Sequence, residues 1–131
     1  MSGIVLDTTV VVDYLRGREA ARRRVLSARD QNDDIWVCAI TVEEVTRGIR
    51  PHEDDAFLQL LRGLRLAPLG IEEGRLAGFW RRTHARHGVT ISQPDALVAA
   101  AAMGVNARLA TGNPKDFPMA NLAVEHWPVN E

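Results

Sequence analysis

Four carboxylates, Asp7, Glu44, Asp95 and Asp116, each stand at or just beyond an apolar stretch of the 131-residue chain. Asp7 follows Ile4-Val5-Leu6. Glu43 and Glu44 come after the run from Ile35 to Ile40, Asp95 introduces the small and apolar residues up to Met103, and Asp116 lies soon after Thr111. In a parallel α/β sheet, residues placed just behind the strands gather on one edge, where ligands bind. Carboxylates brought together there repel one another, and they cannot all stay ionised at close range. A hard divalent cation removes the conflict, because Mg2+ prefers oxygen ligands and is held by one or two carboxylates plus water and substrate phosphate. Such a site polarises phosphoryl oxygens and activates water, which is the chemistry of phosphodiester hydrolysis. The cation also lets an acidic site accept an anionic substrate.

Each acid also has an ordinary structural reading. Asp7 suits a turn or a helix N-cap, although Thr8 and Thr9 offer alternative caps. Thr41-Val42-Glu43-Glu44 fits a capping box, with Thr41 as cap and Glu44 reaching back. A carboxylate at Asp95, in a helix's first turn, gains about 0.3–1 kcal/mol from the helix dipole. Asn113-Pro114-Lys115-Asp116 reads as a turn, and Asp13 as a surface or supporting residue of the first helix. Only the joint placement of the acids favours a common site.

Other chemistries have weaker support. The chain contains no G-x-x-x-x-G-K-[ST] and no G-x-G-x-x-G loop, and no G-x-S-x-G elbow. His52, His84, His87 and His126 lack zinc-ligand spacing with one another or with Cys38. His84 and His87 are one helical turn apart, which solvent-facing polarity explains as well as metal binding does. Trp36, Trp80 and Trp127 suit core or interface anchors better than base-stacking platforms.

The elements that would position the acids follow from periodicity. Ile4–Leu6 reads as a buried strand, Val10–Leu15 as a helix stopped near Gly17, and Glu19–Ala28 as a second, arginine-rich helix. After a polar loop from Asp30 to Asp34, the run Ile35–Ile40 reads as a strand followed by a helix from Thr41 to about Arg47. Asp54–Leu64 sets Phe57, Leu58, Leu60, Leu61 and Leu64 on one helical face. Leu66–Leu69 suggests a short strand, and Glu72–His87 the longest helix, closed by Gly88. Ser92-Gln93-Pro94-Asp95 opens a buried helix with Pro94 at its first position. Arg108–Thr111 and Leu122–Trp127 complete the strands, the last as an edge. This alternation predicts a mainly parallel sheet covered by helices on both faces, in one domain spanning residues 1–131.

Composition sets bounds on partners and place. Hydrophobic residues at 46% and charged residues at 25% match a folded globular chain, and no apolar run approaches the roughly 18 residues of a membrane span. The start lacks a charged leader, so a cytoplasmic protein is expected. The single Cys38 reads as a small buried hydrophobe. A formal net charge of −1 averages over two basic stretches, Arg16 to Arg29 and Arg75 to His87, in which arginine supplies nearly all the positive charge. Arginine suits phosphate as well as carboxylate, so RNA is permitted without being required.

The motifs, taken in order, resemble a known family. Ile4-Val5-Leu6-Asp7-Thr8-Thr9, Ala39-Ile40-Thr41-Val42-Glu43-Glu44-Val45 through Gly48, Pro94-Asp95-Ala96-Leu97 through Ala102, and Leu109-Ala110-Thr111-Gly112-Asn113 with Asp116-Phe117 look like a PIN domain. More narrowly, they resemble the VapC-type toxins of bacterial toxin–antitoxin pairs. The resemblance covers essentially the whole chain. It implies an α/β/α sandwich and a Mg2+- or Mn2+-dependent endoribonuclease acting on RNA such as tRNA. It also implies a VapB-like antitoxin partner and a homodimer. Asp7 and Asp95 would be the principal metal ligands, Glu44 would complete the site directly or through water, and Asp116 is the candidate fourth acid because Asn113 carries no charge. Thr9 departs from the family's usual asparagine, and Thr111 has a hydroxyl able to orient a ligand or phosphate.

Two competitors come from other classes. A non-catalytic RNA-binding or regulatory domain of the same fold would bind RNA regardless of chelators and never cleave it. A phosphatase with Asp7 as nucleophile would need a second aspartate two residues on, where Thr9 stands.

Overall fold

The computed structural model describes residues 3–131. Five strands form one sheet, β1 (Gly3–Leu6), β2 (Asp34–Cys38), β3 (Arg65–Ala67), β4 (Arg108–Thr111) and β5 (Val124–His126), in the order β3-β2-β1-β4-β5. Every neighbouring pair is parallel. Helices α1 (Thr8–Leu15), α2 (Glu19–Asp30), α3 (Ala39–Gly48), α4 (Asp54–Arg62), α5 (Ile71–Ala85) and α6 (Gln93–Gly104) supply the crossovers. The result is the expected α/β/α sandwich.

The strands are apolar on both faces because both faces are covered. Side chains alternate across the sheet. Val5 and Leu109 join a core made with α5 and α6, while Ile4, Leu6 and Ala110 join a second core with α1, α2, α3 and α4. The alanines of α6 from Ala99 to Ala102 are all fully buried. Their lack of bulk lets α6 lie close on the sheet and against α5, and it carries Asp95 in its first turn to the sheet's carboxyl edge. Its start matches the sequence reading, with the Ser92 Oγ accepting from the Asp95 N–H at 3.2 Å, although Gln93 is the first helical residue and Pro94 the second.

Several boundaries differ from expectation for identifiable reasons. β2 ends at Cys38 rather than Ile40, because Ala39 and Ile40 already form the first turn of α3. The N-cap is therefore Cys38, and Thr41 is a fully buried helical residue that caps nothing. Its Oγ1 has no hydrogen-bond partner among the described residues. In α4 only Phe57 and Leu60 are buried, and Leu58 turns outward. β3 begins at Arg65 and is an edge strand, with Leu66 exposed. Asp13 is buried rather than superficial, and it accepts a hydrogen bond from the Asn130 N–H at 3.0 Å.

Strand order reverses direction between β1 and β4: from β1 the chain moves to β2 and β3 on one side, then returns to β4 and β5 on the other. The loops behind β1 and β4 must diverge there and leave a crevice. Asp7 and Thr111 stand on its two sides.

Candidate active site

Asp7 is the residue where β1 gives way to α1. It is the N-cap of α1 by backbone conformation, yet its side chain makes no capping bond. The carboxylate instead faces the crevice, 6% exposed. Two hydroxyls hold the same oxygen: Thr9 Oγ1 donates to Asp7 Oδ2 at 3.0 Å and Thr111 Oγ1 donates to it at 2.8 Å. Each hydroxyl is itself oriented by a backbone N–H, from Gly112 to Thr9 and from Asn113 to Thr111, both at 3.0 Å. With the backbone donors directing the lone pairs, each hydroxyl proton is turned toward the carboxylate. A Cβ at Gly112 would come within 2.6 Å of Val129 Cγ1, so glycine lets the C-terminal segment pack here.

Thr8 serves the second acid. Its Oγ1 donates to Glu44 Oε1 at 2.6 Å, tying α1 to α3. Glu44 thus faces the crevice and not its own helix terminus, which removes the capping-box reading. Glu43, its neighbour, is exposed. Asp95 is half-buried at the start of α6, and Asp116 is exposed at the end of a 3-10 turn over Pro114–Asp116.

Electrostatics links the four acids. Burial raises the Asp7 pKa above the usual carboxylate value, hydrogen bonds from Thr111, Thr9 and Thr8 pull it back, and the charge of Glu44 adds to the rise. Burial also raises Asp95, its bond with the Ser92 side chain opposes this, and the charges of Asp7, Asp116 and Glu44 raise it further. Asp95 thus lies within the fields of the other three acids, and Asp7 within that of Glu44. Among the described residues no arginine, lysine or histidine forms a salt bridge with any of them. Nor do three Asp, Glu, His or Cys side chains among those residues form a ready-made metal cage. Mg2+ does not need one, because it keeps several waters and takes only one or two carboxylates directly. An all-oxygen, uncompensated anionic set fits a hard divalent cation.

The remaining candidates fall away from this edge. His84 Nδ1 hydrogen-bonds the Trp80 carbonyl at 2.8 Å, which occupies that nitrogen. Trp80 and Trp127 are core residues, and Trp36 lies partly buried under Arg65 at 5.7 Å. Cys38 is fully buried, and burial pushes its thiol pKa up.

Sequence reasoning treated Thr8 and Thr9 as rival caps and missed that both serve acids. Two hydroxyl residues directly behind an aspartate, where one cap suffices, were the available signal. Thr9, where the resemblance led to asparagine being expected, uses one hydroxyl both to accept from the Gly112 N–H and to donate to Asp7.

A parallel α/β/α sandwich with a hydroxyl-held aspartate at its switch point and further carboxylates behind the neighbouring strands is the class that this geometry defines. The PIN domain model matches residues 4–121. The chain belongs to the PIN-domain family. Among curated proteins it is 33% identical over 116 residues to Ribonuclease VapC10 of Mycobacterium tuberculosis, covering 88% of this chain and 86% of that protein. It is 32% identical over 119 residues to Ribonuclease VapC19 of the same organism, covering 88% and 92%. Among solved structures, a chain of the Rickettsia felis VapBC2 complex with a promoter DNA fragment superposes with a TM-score of 0.81 at 23% identity, covering 95% of this chain and 98% of that one. A chain of FitAcB from Neisseria gonorrhoeae gives 0.77 at 25% identity, covering 92% and 95%.

Proposed function

We propose that this protein is a divalent-metal-dependent endoribonuclease that acts as the toxin of a VapBC-type pair. The observation that carries the reading is the buried Asp7 carboxylate, held by two hydroxyls and lying in electrostatic reach of Glu44 and Asp95, with no salt bridge to Asp7, Glu44, Asp95 or Asp116 among the described residues. Asp7 and Asp95 are the principal candidates to hold Mg2+ or Mn2+, with Glu44 and Asp116 completing the set directly or through water. A cation bound there supplies Lewis-acid polarisation of a phosphoryl oxygen and a more acidic bound water. The chain's own contribution is positional. Thr9 and Thr111 fix Oδ2 of Asp7, Thr8 fixes Glu44, and Ser92 holds the start of α6. Such outer contacts keep ligands in place and are commonly worth 10–100-fold in metal affinity or activity.

The relatives named as ribonucleases support RNA as the substrate, and the VapBC neighbours support a VapB-like antitoxin covering the acidic edge. A homodimer and a cytoplasmic location follow the same likeness. Among the described residues no helix is long and apolar enough to cross a membrane.

Cleavage of bulk tRNA in Mg2+ or Mn2+ tests the reading. Asp7→Asn and Asp95→Asn, each still folded, are expected to lose about a thousandfold in rate, as the loss of several kcal/mol of transition-state stabilisation requires. Full activity in either variant refutes its assigned role. RNA binding that ignores EDTA, with no cleavage at any metal concentration, would instead identify a non-catalytic RNA-binding domain. A small DNA-binding protein encoded immediately beside this gene would support the toxin role.

A further inference from the structure

A groove leaves the acid cluster along α1. It is lined by Thr8, Thr9, Val12, Arg16, Arg18 and Val129, among others. Thr8 and Thr9 are the residues bonded to Glu44 and Asp7, so the groove begins at the site itself. It ends where Gly17, at φ +75°, turns the chain sharply between Arg16 and Arg18. Eight helical residues separate the two ends by roughly 12 Å.

The two arginines at the far end are held in the same way. Arg16 approaches Glu53 through Nε at 3.5 Å, and Arg18 approaches Asp13 through Nε at 3.9 Å. Both acids are buried, 5% and 6% exposed. Each also accepts a backbone N–H, from Arg50 to Glu53 and from Asn130 to Asp13, both at 3.0 Å. Anchored on one side, each guanidinium keeps its terminal nitrogens free of hydrogen bonds among the described residues. Arg24 and Arg108 differ, Arg24 spending both terminal nitrogens on the Pro128 carbonyl and Glu131 and Arg108 all three of its nitrogens, whereas Arg65 and Arg81 are held through Nε in the same way but do not line this groove. A guanidinium with a fixed stem and an uncommitted fork is suited to phosphate, which it grips through two N–H groups.

We propose that this groove is a track for the backbone of single-stranded RNA, with Arg16 and Arg18 binding phosphates beyond the scissile bond. The inference rests on the ribonuclease reading and adds the path of the strand. Val12 and Val129 give the groove an apolar floor between the acids and the arginines, against which ribose and base faces can pack once the bases are unstacked.

The test uses the full chain carrying Asp95→Asn to stop turnover, with bulk tRNA and a labelled mixed-sequence RNA oligonucleotide as probes. Arg16→Gln/Arg18→Gln is expected to weaken binding at least about tenfold. It should also reduce the slope of log affinity against log salt by about 1.4, the value for two single-strand phosphate contacts. With Asp95 intact, the two arginine substitutions should leave the rise in Tm caused by Mn2+ unchanged. Because these arginines pair with buried acids, Asn130→Asp provides a second variant that leaves both pairs intact. It places a carboxylate in the groove, where Asn130 already holds a left-handed φ of 66° that Asp tolerates, and, at a temperature below its own Tm, it should weaken RNA binding. Unchanged affinity and salt slope in both folded variants would overturn the proposal. So would loss of binding to a VapB-like protein with RNA binding intact, which would assign the groove to that partner. If the unmodified chain cleaves nothing but the arginine variant still loses affinity and slope, the nuclease reading fails and the track stands.

Discussion

The two ends of the sheet handle negative charge in opposite ways. At the amino end, Arg108 donates from Nε to Glu125, from Nη2 to Asp33 at 2.9 Å and from Nη1 to the Gly3 carbonyl at 3.3 Å. Beside it Arg65 pairs with Asp34 at 3.4 Å across the first residues of β3 and β2. At the carboxyl end threonine hydroxyls are the side chains that hold Asp7 and Glu44, and the charges of Asp7, Glu44 and Asp116 bear on Asp95. Hydroxyls hold a carboxylate in place without cancelling its charge. A charged partner would stabilise the fold more but would also fill the position that a cation must take. The amino end thus serves stability, and the carboxyl end retains charge at a cost to stability that a bound ion can reverse.

The largest effect expected from this contrast is stabilisation by metal. Mg2+ or Mn2+ at about 100 times its Kd should add about 2.7 kcal/mol, because the ion binds the assembled acids and not the unfolded chain. Calorimetry in EDTA and in excess Mn2+ measures it, and Asp7→Asn/Asp95→Asn should abolish the difference. A shift that survives in the double variant would place the ion elsewhere. Next in size, Arg108→Ala should destabilise the fold by about 2 kcal/mol, since it strips a partly buried hub from Asp33 and Glu125. The same variant should leave the metal-induced shift intact. If Arg108→Ala weakened metal binding as well, the two ends would not be independent.

Much of this contrast was legible in the sequence, for definite reasons. β1, β4 and α6 are buried on all sides, so their apolar runs had one reading, and Asp7 and Asp95 could be located as the polar residues next to them. Asp95 was further marked by Ser92 and Pro94, a local start signal that the structure uses. Glu44 was harder to place. Thr41-x-x-Glu44 satisfies a local capping pattern, and only the approach of α1, bringing Thr8 across 36 positions of sequence, shows where the side chain goes. The roles of Thr9 and Thr111 depend on β1 and β4 being neighbours, a fact of topology. The arginine anchoring was likewise hidden, because Glu53 and Asn130 are far from α1 in sequence. Adjacent signals could be read from order alone, and pairings across the sheet could not.

Two smaller predictions test the carboxyl end itself. Thr111→Val preserves shape but deletes the shorter of the two hydroxyl bonds to Asp7 Oδ2 and leaves the Asn113 N–H without its acceptor. Metal affinity should fall about tenfold, as expected for a residue that orients a ligand, over and above the loss of stability in EDTA of about 1 kcal/mol that the lost hydrogen bonds bring. An unchanged Mn2+ titration would show that the hydroxyl is dispensable and that burial alone positions the acid.

The smallest effect is on stability against pH in the absence of metal, and its sign follows from the two raised carboxyl groups. Asp7 and Asp95 both hold their protons more tightly in the fold than at the unfolded value of 3.8, chiefly because burial disfavours the charged form. Their contribution to stability is therefore fully present below that value and is lost as pH rises through their folded pKa values. In EDTA the protein should therefore lose stability over that rise, seen as a falling Tm. Saturating Mn2+ should remove the loss, because the bound cation takes the place of the protons. Asp7→Asn should flatten the EDTA profile and raise its Tm at neutral pH, since the amide oxygen can still accept from Thr9 and Thr111 but carries no charge. A Tm in EDTA that instead climbed steadily from mildly acid to neutral pH, with Asp7→Asn below the parent throughout, would mean that these carboxylates are stabilised in ionised form. The contrast between a compensated and an uncompensated edge would then be wrong at its carboxyl end.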